Sequence, residues 1–108
     1  HKEMADPTRL IEDVRKECVR PLRKELKKVV RKLLGPDAPE KYVHFCQASI
    51  GAQCFGVLHH IRAHQSGNAP PPPAEEIIND IDGYAEHVYQ FSLAGIRAMR
   101  AYLEEERA

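Results

Sequence analysis

From Thr8 to Leu34 the apolar residues Leu10, Ile11, Val14, Cys18, Leu22, Leu26, Val29, Val30, Leu33 and Leu34 recur three and four positions apart. That spacing lines side chains along one face of an α-helix, so the segment is predicted to be an amphipathic helical region. Asp6-Pro7 suits its N-cap and first position, and Gly35-Pro36 suits its stop. Pro21 has no backbone N–H to donate, which is expected to bend or break the region near Arg20. Asp37 and Glu40 stand at capping-box spacing and predict a second helix, running to about His64. Between Tyr42 and Leu58 this helix carries almost no charge and is apolar on every side, so it needs neighbours all round.

Residues 66–73 contain Ser66, Gly67 and four successive prolines, Pro70 to Pro73. Prolines in series supply no donors and favour the extended polyproline form, so this is the one expected loop. Glu75 and Glu76 then suit a helix N-terminus, and Ile77, Ile78, Ile81, Tyr84, Ala85, Val88, Phe91, Ser92, Gly95, Ile96, Met99, Tyr102 and Leu103 continue at helical spacing. Asp82-Gly83 is the expected place for any break in that last helix. With no strand-type alternation and no internal repeat, the expected fold is all-α: an antiparallel helical bundle forming one domain over residues 1–108.

A length of 108 residues and a mass of 12.3 kDa exclude a two-domain enzyme. The 16 basic and 16 acidic residues cancel, so the whole chain has no positive excess to hold a phosphate backbone. Charge is nevertheless segregated, because residues 9–34 hold most of the basic side chains and residues 66–96 hold only acidic ones. Two solvated faces account for this more simply than a nucleic-acid surface, since glutamates interrupt the basic run and no aromatic platform accompanies it. Three cysteines, Cys18, Cys46 and Cys54, do not form a disulfide framework and suit a reducing compartment. No apolar run reaches the roughly 20 residues of a membrane span, and residues 1–4 lack a signal-peptide core. A cytoplasmic protein with no membrane partner is expected. Because it starts at His1, the chain is expected to be a piece of something longer.

His60 and His64 lie four apart on one helical face, beside His59, but no third or fourth ligand has zinc-site spacing. No metal and no cofactor are expected. A glycine-flanked serine elbow, a phosphate loop and an acidic pair in an apolar stretch are all lacking, so no catalytic residues and no enzyme activity are expected. Cys46, Ser49 and Gln53 fall on one face of the uncharged helix, and Tyr84, His87 and Phe91 fall at the same spacings on the last one. Polar tips inside an apolar bundle need partners, and a bound ligand would supply them. The alternative stays open that Ser49 bonds its own helix and Gln53 faces a subunit interface. A second copy of the chain would also cover the uncharged helix, with Gly51, Ser92 and Gly95 permitting close approach.

The stretch from His87 through Phe91-Ser92-Leu93-Ala94-Gly95-Ile96-Arg97 to Ala98, the segment Ser49 to Cys54, the opening Glu3 to Thr8 and Arg20-Pro21-Leu22 resemble the C-terminal domain of TetR-type transcriptional regulators, in their CecR-like branch. The resemblance implies an effector-binding and homodimerisation domain whose last two long helices, about 40–64 and 81–105, build a four-helix dimer interface. Gly51, Cys54, Phe55, Leu58, Ser92, Gly95, Ile96, Met99 and Leu103 would form that interface. Operator DNA would be a partner only through an N-terminal helix-turn-helix domain absent from this chain. The expected function is effector sensing in a bacterial transcriptional repressor that releases its operator when a small, partly apolar ligand binds. The alternative is a helical association module with no effector.

Overall fold

The computed structural model describes Arg9, residues 20–67 and residues 72–108. Four helices follow one another: α1 (Arg20–Leu34), α2 (Glu40–Gln65), α3 (Ala74–Asn79) and α4 (Ile81–Arg107). Among the described residues there is no strand, and the fold class is all-α. The helix expected ahead of Pro21 and the middle of the proline loop lie outside the described residues. Pro21 itself lies within the described part of α1, next to its first described residue Arg20.

Gly35 ends α1 with φ +101°, and its N–H donates to the Arg31 carbonyl at 3.0 Å. A side chain there would be strained, and a β-carbon would come within 3.3 Å of the Arg100 guanidinium. Arg100 reaches this spot from α4 and donates to the Leu33 carbonyl at 3.3 Å, placing a cation at the negative end of α1.

The corner between α1 and α2 departs from the expected capping box. Asp37 is drawn to Arg107 on α4 at 2.8 Å, and Glu40 is drawn to Lys27 at 2.8 Å and Arg31 at 2.6 Å. Both carboxylates find full cations in the folded chain, which outcompete the backbone N–H groups they would cap. Arg31 closes the corner by also donating to the carbonyls of Gly35 at 3.1 Å and Ala38 at 2.6 Å.

The break in the last helical stretch falls at Asp80 and not at Asp82-Gly83. Asp80 (φ −147°, ψ 71°) leaves the helix, and its carboxylate accepts from the Gly83 N–H at 3.0 Å, capping α4.

The core is small. Val30 and Leu34 from α1, Val43 from α2 and Ile96 from α4 are buried, with Leu26, Leu33, Tyr42, Cys46, Ile50, Met99 and Leu103 packed around them. Ile96, expected at a subunit interface, is 5 % exposed within the single chain. Met99 and Leu103 follow it along the same face of the helix and pack, partly buried, against that core. The described chain measures 60 × 34 × 18 Å, and its radius of gyration is 17.4 Å. A compact domain of this length has a radius near 13 Å. Phe45, Phe55 and Leu58 of α2 stay at least half exposed, so the described residues do not enclose α2. No helix among the described residues is long and apolar enough to cross a membrane.

Candidate functional site

Where α2 and α4 run side by side they leave a groove of about 480 Å³. Cys46, Ser49, Ile50 and Gln53 line it from α2, and Phe91, Ser92, Gly95 and Met99 line it from α4. The α2 residues recur at three and four, so one face of the helix borders the groove along its length. Gly95 leaves room there, since a β-carbon on it would meet nothing within 4 Å.

The polar groups in the groove are partly matched within the chain. Gln53 Nε2 donates to the Ser92 hydroxyl at 3.3 Å and to the Ser49 carbonyl, one turn back, at 3.2 Å. Burial pushes the Cys46 thiol above its ordinary pKa, the direction that suppresses thiolate chemistry. Phe45 stands edge-on to Tyr42 with ring centroids 5.5 Å apart, and Phe91, 63 % exposed, forms the opposite wall.

The six residues expected to hold a ligand are not gathered in one place. Cys46, Ser49, Gln53 and Phe91 share the α2/α4 groove, whereas Tyr84 and His87 border a separate cleft with Pro73, Glu76 and Asp80. A ladder of rings joins the two places: Tyr84 stacks on His87 at 5.9 Å and His87 on Phe91 at 5.4 Å.

The residues expected at an interface also divide. Ser92, Gly95, Ile96 and Met99 line the α2/α4 groove, so the ligand and interface sets overlap there. Gly51 and Phe55 instead border a second groove, between α1 and α2, with Arg23, Lys24, Lys27, His44 and Gln47. Cys54, Phe55 and Leu58 are exposed on α2. Sequence reading took the basic residues of α1 for a solvated face. Their helical spacing was visible, but the crossing that sets them opposite Gly51 and Phe55 was not.

Glu40 sits at the head of this second groove. Hydrogen bonds from Lys27 and then Arg31 hold its carboxyl down at about 2, against an ordinary value of 4.5. The His59 and His60 rings are 5.9 Å apart, and the His64 side chain lies outside the described residues. Among the described residues no three His, Cys, Asp or Glu side chains converge as a metal site requires.

Comparison with curated proteins and with solved structures gives no match. A family model, described as the C-terminal domain of the HTH-type transcriptional dual regulator CecR, matches residues 1–96. All-α architecture and the absence of any strand among the described residues fit such a domain. The chain belongs to the CecR C-terminal domain family and is a domain of transcription regulators, not an enzyme.

Proposed function

We propose that this chain is the effector-sensing and homodimerisation domain of a bacterial, TetR-type transcriptional repressor acting in the cytoplasm. Its central supporting observation is the exposed apolar face along α2 and α4. Phe45, Leu58 and Phe91 are each at least 50 % exposed along α2 and α4. The accessible surface is 8480 Å², whereas a compact monomer of this mass exposes about 6100 Å². A stable dimer covers about 800 Å² on each partner, so a second copy packed on α2 and α4 is well within what the chain leaves bare.

The effector reading rests on the α2/α4 groove. Its volume suits a small molecule, its walls are mostly apolar, and Ser49, Gln53 and Ser92 offer a few polar tips. The same two helices would form the four-helix interface. A ligand that prefers one spacing of α2 and α4 would therefore select one dimer geometry and alter the separation of two N-terminal DNA-binding heads. Operator release would follow.

Thermal melting with a panel of small hydrophobic compounds tests this reading, with sedimentation run in parallel. Binding to the folded state raises the midpoint, and Gly95→Leu, which fills the groove, is expected to abolish the rise. No rise with any compound would leave a ligand-independent association module. The Gln53–Ser92 bond favours that second reading, because it already satisfies two of the polar tips.

A further inference from the structure

We propose that the groove between α1 and α2 is a binding site of its own, for a small amphipathic anion: a carboxylate, sulfonate or phosphate head on a compact apolar body. It is separate from the α2/α4 groove and does not depend on the function proposed for that one.

The two walls of the groove differ in chemistry. Arg23, Lys24 and Lys27 come from α1, at spacings that put all three along the edge facing α2. The α2 wall is the stripe His44, Gln47, Ala48, Gly51, Ala52 and Phe55, again at intervals of three and four. The Gln47 side chain donates from Nε2 to the Arg23 carbonyl at 3.0 Å and fixes the distance between the walls. Beyond that bridge the floor is made of Ala48, Gly51 and Ala52, and a β-carbon on Gly51 would meet nothing within 4 Å. The space is about 710 Å³, enough for a molecule of a few rings.

The cations are not all satisfied. Lys27 pairs with Glu40 at 2.8 Å, and that carboxylate is shared with Arg31 and, at 3.7 Å, with His44. Arg23 and Lys24 have no carboxylate partner among the described residues. Two unneutralised cations beside an apolar wall attract negative charge more strongly than the same cations on an open surface, because the wall displaces water. A bare inorganic anion would leave the Ala48–Phe55 stripe uncovered, and a neutral apolar molecule would leave Arg23 and Lys24 uncompensated. An amphipathic anion engages both walls.

Calorimetric titration of the 108-residue chain with 2-naphthalenesulfonate and with neutral 2-naphthalenemethanol tests the site. The sulfonate is expected to bind at least about tenfold more tightly than the alcohol. The double variant Arg23→Gln/Lys24→Gln is expected to remove that preference. Phe55→Ala, at an exposed position on the other wall, is expected to weaken the sulfonate with the helix signal in circular dichroism unchanged. Gly95→Leu, in the α2/α4 groove, is expected to leave sulfonate binding intact. Equal affinity for the two probes, binding unaffected by the double variant, or loss of binding in Gly95→Leu would each overturn the assignment. A chain that binds the sulfonate in this way yet stays monomeric would refute the proposed dimer and leave the anion site standing.

Discussion

Gln53 on α2 and Ser92 on α4 share a hydrogen bond of 3.3 Å, and the same amide also donates to the Ser49 carbonyl. The bond ties together two helices that otherwise face each other across an open groove. Gln53→Ala and Ser92→Ala, alone and combined, are expected to reveal a coupling of about 0.5–1 kcal/mol in denaturant unfolding. Purely additive losses would mean that the bond contributes nothing to the pairing of α2 with α4.

Val43 is completely buried between α1 and α4, with no exposed atom to soften its removal. Val43→Ala deletes two methyl groups from the buried cluster it forms with Val30, Leu34 and Ile96 and is expected to cost about 2 kcal/mol. Urea unfolding checks this, with the slope expected to stay at its wild-type value.

Glu40 gives the corner between α1 and α2 a dependence on pH. Its carboxyl is depressed to about 2 in the folded chain by Lys27 and Arg31, while the unfolded value is near 4.5. A depressed carboxyl stabilises the fold above the unfolded value, and that contribution fades as pH falls from 4.5 towards 2. Glu40→Gln is thus expected to melt below wild type at pH 7 and to match it near the acid end of that window. An equal difference in melting point at all pH values would contradict the assignment.

Asp80 caps α4, and Gly83 gives it the space to do so. Asp80→Ala is expected to cost about 1 kcal/mol, in the usual range for a lost N-cap. In Gly83→Ala the new β-carbon would collide with the Asp80 carboxylate, so that variant should resemble the lost cap. Faster amide exchange in the first turn of α4, in both variants, is the direct readout.

Much of the architecture was legible in the sequence because local chemistry decides it. Gly35 ends α1 by adopting a conformation that only glycine takes without strain, and α2 ends at Gln65, just before Gly67 with its own positive φ of 87°. The periodicity of 96, 99 and 103 was equally plain, but not whether α1 or a second copy would cover it. Within the chain these residues pack against the core that Val30 and Leu34 of α1 help to build. Asp37 and Glu40 show the same limit. Their spacing satisfies a local capping rule, yet their partners are Arg107, at the far end of the chain, and two cations on the preceding helix. Within the candidate site, Cys46, Ser49, Gln53 and Phe91 border one groove, while Tyr84 and His87 border another with Pro73, Glu76 and Asp80, a division that helical spacing alone does not encode.

Sedimentation equilibrium at about 10 µM, on the wild type and on Phe45→Glu, tests the central claim most directly. An uncovered apolar face on α2 and α4 requires a second copy, so the wild type is expected at twice 12.3 kDa. Phe45→Glu, at a position 57 % exposed, is expected at the single mass with its helix content unchanged. A folded wild-type monomer at that concentration would contradict the account.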